Sequence, residues 1–69
     1  MYTVELTHYK DFEGYTYTET FDIIDTKMTA EEWYHNFINN GNTLDFYGEI
    51  EIFNENGESI STFWVDNDR

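Results

Sequence analysis

Two blocks of strict alternation, placed before and after a single helical stripe, limit what this chain can fold into. Tyr2, Val4, Leu6 and His8 fall on one side of an extended segment, and Thr3, Glu5, Thr7 and Tyr9 fall on the other. This is the period-two pattern of a strand with one buried face. After a turn signal at Asp11-Phe12-Glu13-Gly14, a second run sets Tyr15, Tyr17, Phe21 and Ile23 against Thr16, Thr18, Thr20 and Asp22. A loop of either two or four residues brings even positions of the first strand beside odd positions of the second. The two apolar sides therefore coincide.

Between the blocks, Thr29-Ala30-Glu31-Glu32 has the spacing of a capping box, with Met28 and Trp33 at the staple positions around it. Ala30, Trp33, Tyr34, Phe37 and Ile38 recur at helical spacing, and Asn40-Gly41 supplies the stop. The expected helix has about three turns. In the second block Leu44, Phe46, Gly48, Ile50 and Ile52 alternate with Asp45, Tyr47, Glu49, Glu51 and Phe53. Asn56-Gly57 signals a two-residue type I′ hairpin, which pairs Glu55 with Glu58, Phe53 with Ile60, Glu51 with Thr62 and Glu49 with Trp64. Ser61, Phe63 and Val65 then join the core side. The expectation is an α+β fold, ββαββ, with an antiparallel sheet carrying one helix on one face. The whole chain, 1–69, reads as one domain, with Asp66-Asn67-Asp68-Arg69 as a frayed tail. Strand order is left open by these signals.

Charge is the second constraint. Fifteen Asp and Glu residues face three basic ones, a formal charge of −12, which repels itself in the compact state. A domain of this size buries only about 60% of its unfolded-chain surface. The two Trp, six Tyr and six Phe offset this, since each buried aromatic removes about 150–250 Å² from water at roughly 25 cal/mol per Å². Solubility asks for a net charge of only about 2–8. Frequent Asn, Ile, Tyr and Phe beside a single alanine match AT-rich codons, which argues against a halophilic origin. Such codons also supply lysine freely, so two lysines point to selection against positive charge.

Several function classes drop out. No cysteine is present, so no disulfide or thiolate metal site forms. No apolar run approaches the roughly 20 residues of a membrane helix, and the first residues lack the basic and apolar regions of a signal peptide. A cytoplasmic setting, that of the host cell if the gene is phage-borne, is expected. Ser59 and Ser61 lie on a strand without a glycine-framed elbow, and there is no phosphate-binding loop or basic patch. The chain is not expected to be an enzyme or to bind nucleic acid directly. Glu32-x-x-His35 has the spacing of a di-metal ligand pair, but it occurs once and Glu32 is needed for the cap. Asn54-Glu55-Asn56-Gly57-Glu58 lacks the ligand series of a calcium loop. No metal or cofactor is expected.

The sheet face away from the helix holds the candidate site: Glu5, Asp22, Asp45, Tyr47, Glu49, Glu51, Phe53 and Trp64, with Tyr9 and Ile60 nearby. Carboxylates two apart on a strand, such as Glu49 and Glu51, project alike about 6.6 Å apart. Arginine pairs with a carboxylate and stacks on a neighbouring ring, so this face suits a basic protein groove. The exposed apolar residues alternatively suit a homodimer interface. A globule about 28 Å across spans duplex DNA carrying about 16 phosphate charges, a density comparable to that of the chain.

In size, acidity and aromatic content the whole chain resembles the small acidic phage-encoded DNA-mimic inhibitors, which include anti-CRISPR proteins, anti-restriction proteins and uracil-DNA glycosylase inhibitors. No residue role is carried over from them. The resemblance implies non-catalytic, stoichiometric binding at the nucleic-acid site of a basic DNA- or RNA-handling protein such as a nuclease effector, with an anti-CRISPR as the leading member. An immunity protein or antitoxin that neutralises a basic nuclease toxin is the alternative.

Overall fold

Both alternating blocks become antiparallel hairpins, and the chain order is β1 (Tyr2–Lys10), β2 (Tyr15–Ile24), α1 (Ala30–Asn39), β3 (Tyr47–Phe53) and β4 (Ser59–Asp66). The computed structural model describes residues 1–10 and 15–66. The expected turn at Asp11-Phe12-Glu13-Gly14 and the tail residues Asn67, Asp68 and Arg69 lie outside the described residues. The strands join as one sheet in the order β2-β1-β3-β4. The two hairpins thus meet through their first strands, β1 and β3, which occupy the centre. This is the expected ββαββ architecture of the α+β class.

One wall of the core comes from the even residues of β1 and β3. Val4, Leu6, Ile50 and Ile52 are fully buried, and Phe46, Val65, Trp33 and Ala30 complete the cluster. Gly48 has a reason to be glycine that alternation does not reveal. A Cβ built there would lie 1.9 Å from the Thr7 carbonyl oxygen and 3.0 Å from Cζ of Phe46, so only a bare backbone fits between β1 and the Phe46 ring.

The helix forms where its local signals place it. The Thr29 hydroxyl accepts from the Glu32 amide at 3.1 Å, and the Glu32 carboxylate accepts from the Thr29 amide at 2.9 Å, a reciprocal cap. Gly41 follows the last turn with φ of +89°, the left-handed conformation that glycine tolerates. The Ala30 amide donates to the Ser61 hydroxyl at 2.9 Å, tying the helix start to β4. Tyr34 meets Phe63 at 5.6 Å, while Trp33 and Phe37 stack on each other at 5.2 Å. The helix lies over β4 and β3, and the side of the sheet opposite it stays uncovered.

Two irregularities correct the expected registers. On β2, pairs with β1 run from Lys10↔Tyr15 to Glu5↔Thr20 in the expected parity, then resume as Val4↔Asp22 and Tyr2↔Ile24. Phe21 is the extra residue of this bulge. Its ring reaches Trp33 and Phe37 edge-on at 5.8 and 5.7 Å, and the residues after it exchange faces. On the second hairpin only Gly57 has positive φ, whereas a type I′ turn requires it at both central residues. The loop therefore has three residues, Glu55-Asn56-Gly57. The Gly57 amide donates to the Asn54 carbonyl at 3.0 Å, and the Asn54 amide to the Glu58 carbonyl at 2.9 Å. The Asn54 side-chain oxygen also accepts from the amides of Asn56 and Glu58.

That longer loop sets Asn54 opposite Glu58 and Phe53 opposite Ser59, not Ile60. A shift between Ile52 and Phe53 absorbs one residue and restores the expected Glu51↔Thr62 and Glu49↔Trp64 pairs. Asp66, assigned from sequence to the frayed tail, instead ends β4 opposite Tyr47.

Candidate functional site

Because β1 and β3 are both central, their outward residues line up across the whole sheet. One row runs Thr18, Thr7, Glu49, Trp64, and the next runs Thr20, Glu5, Glu51, Thr62. A third runs Ile23, Thr3, Phe53, Ser59. Glu5 and Glu51 stand directly opposite each other, and Glu49 is two residues along the same strand. Like charges at directly opposed positions destabilise a sheet.

These three carboxylates are half-buried. Among the described residues, no ion pair reaches any of them. The ion-pair contacts found among the described residues lie elsewhere: the amino terminus meets Glu55, His8 meets Glu19 and His35 meets Glu31. Of these contacts, the amino terminus holds the Glu55 carboxyl below its ordinary value, by hydrogen bond and by charge.

Aromatic side chains frame one end of the carboxylate group. Trp64 is 46% exposed and sits across from Glu49, with Tyr9 at 5.0 Å and Tyr47 at 5.3 Å, both in edge-type contact. The two tyrosines contact the indole, and nearly half of it stays in water beside an acid. At the far end Phe53 lies across β1 from Ile23, through Thr3. The Thr7 and Thr18 hydroxyls, 3.0 Å apart, bond to each other and leave the middle of the β2–β1 side neutral.

The structure therefore brings together Glu5, Tyr47, Glu49, Glu51, Phe53 and Trp64 from the candidate set. Asp45 is exposed in the segment leading into β3, at the edge of the group. Asp22 does not belong to it. The bulge at Phe21 turns Asp22 to the helix side, where one carboxylate oxygen accepts from the Trp33 indole N–H at 3.1 Å and the other from the Ile23 amide at 2.9 Å. Ile23, assigned from sequence to the core side, takes its place on the uncovered face and is 58% exposed. No sequence signal marked that exchange, since Phe21 and Ile23 are both apolar and continue the alternation without a visible break.

The Glu32 and His35 side chains on the helix are held by other contacts. Glu32 is committed to the cap, and His35 lies 3.6 Å from Glu31 one turn away. His8 stacks on Tyr17 with ring centroids 4.3 Å apart, meets Phe46 edge-on at 4.8 Å and contacts Glu19 through Nε2. It is a packed histidine at the core edge. Among the described residues, no helix is long and apolar enough to cross a membrane. No protein-family model, curated protein or solved structure matches the chain.

Proposed function

We propose that this chain is an acidic protein inhibitor of the anti-CRISPR or related anti-defence kind. It occupies the nucleic-acid site of a DNA- or RNA-handling enzyme, with carboxylates standing where phosphates would lie. One observation carries the reading: Glu5, Glu49 and Glu51 share the centre of an uncovered face, with two of them directly opposed and no described cation pairing any of them. A sheet selected for stability alone would separate or neutralise such charges. A partner's arginines relieve the repulsion, pairing with Glu49 or Glu51 while stacking on Trp64. The remaining acidity steers encounter with a basic groove.

Affinity capture from bacterial lysate with the wild-type chain, beside a Glu49→Lys/Glu51→Lys variant, tests this. The wild type should retain a nucleic-acid-binding protein with an on-rate that falls as salt rises, while the variant stays folded and retains none. Equal capture by both proteins would exclude this face as the site.

A further inference from the structure

We propose that the free edge of β2 accepts an extended basic segment of a partner as a fifth strand, a contact separate from the carboxylate face. Sheet edges present unpaired backbone N–H and C=O groups, and proteins usually guard them with lysine, proline, short strands or a covering element. β2 is ten residues long and contains neither lysine nor proline. Among the described residues no strand lies beyond it. Every residue from Thr16 to Ile23 is exposed, because the helix lies over β3 and β4 and reaches β2 only where Trp33 and Phe37 meet Phe21 and Asp22. Besides the charges of Glu19 and Asp22, the guard present is the bulge at Phe21. It leaves the ladder regular from Tyr15 to Thr20, enough for strand addition. The other edge, β4, has the helix start bonded to Ser61 and an irregularity near Ile60.

Charge selects the occupant. The strand carries Glu19 and Asp22 with no basic residue, so a second copy would bring like charges and another −12 to the same edge. A basic segment meets no such opposition. Side chains of an added strand alternate between the two faces. One set lies beside Thr16, Thr18 and Thr20, where β-branched residues pack, and the other lies beside Tyr17 and Glu19, which already hold His8, so that the Glu19 charge draws arginine to that side without a ring left open for it.

Amide hydrogen exchange on the full chain tests the proposal, with a capped peptide alternating arginine and threonine, as long as β2, as the probe. Alternate amides between Thr16 and Thr20 should slow by about tenfold or more, since only the outward-facing ones gain a partner. The same protection should persist in the Glu49→Lys/Glu51→Lys variant, which separates this contact from the carboxylate face. Glu19→Arg should abolish it and restore it for a glutamate–threonine peptide. No protection on β2, protection confined to β4, or its loss in the Glu49→Lys/Glu51→Lys variant would overturn the proposal. So would protection that grows with protein concentration in the absence of peptide, which would assign the edge to a second copy.

Discussion

Replacing Glu51 with glutamine should stabilise this protein while weakening its binding, a pairing that ordinary surface substitutions do not produce. Glu51 faces Glu5 across the β1–β3 ladder and has Glu49 two residues away on the same face. At separations of about 6 Å, two charges in water repel by about 0.7 kcal/mol, so removing Glu51 relieves two such terms. With screening at low salt the gain should be about 1 kcal/mol, or 4–8 °C in Tm for a domain of this size. Urea denaturation of wild type and Glu51→Gln at low and at molar salt would measure it. Most of the difference should vanish at high salt, where the Debye length falls to about 3 Å. Asp45→Asn, which removes one charge from the exposed segment before β3, controls for general relief of net charge. If Glu51→Gln is neutral or destabilising at low salt, or gains no more than Asp45→Asn, the carboxylates are not in conflict and the argument for a selected face fails.

Other outcomes follow from individual contacts. Gly48→Ala must move the Thr7 carbonyl from 1.9 Å, and overpacking between two central strands should cost about 3 kcal/mol, seen as a lower denaturation midpoint. Asp22→Ala removes the acceptor of the Trp33 indole; it should cost about 1.5 kcal/mol, the lower range for a bond to a charged group because Asp22 is exposed, seen as a lower denaturation midpoint. The Glu55 carboxyl is lowered by the amino terminus, so its small contribution to stability is present above the ordinary carboxyl value and lost as pH falls through the lowered one. Acetylating the amino terminus should return Glu55 to its ordinary titration, as followed by NMR.

Local chemistry explains why so much of the fold was readable. Thr29 and Glu32 cap the helix through contacts within one turn, and the apolar positions of β1 and β3 have an unbroken period of two that burial enforces. Hence Glu5, Glu49, Glu51 and Trp64 could be placed on one face from sequence. What alternation cannot show is an inserted residue. The bulge at Phe21 is fixed by tertiary contacts, its ring meeting Trp33 and Phe37 while the next residue reaches the indole N–H. Those contacts moved Asp22 off the face and Ile23 onto it. Asn56-Gly57 misled for a related reason: the Asn54 side chain ties down the Asn56 and Glu58 amides and favours a three-residue loop. Strand order depended on β1 meeting β3, where Gly48 permits the close approach, and a lone glycine in an apolar run does not announce its neighbour.

The central claim is that carboxylates on the uncovered face occupy a site built for phosphates. Its most direct test is a competition measurement on a captured partner, titrating duplex or single-stranded nucleic acid into the preformed complex and recording both bound species. The account requires mutual exclusion, with each nucleic acid molecule bound displacing one copy of the chain, and with the complex of partner and chain itself weakening as salt rises. A ternary complex holding partner, nucleic acid and chain together, or a complex indifferent to salt, would contradict it.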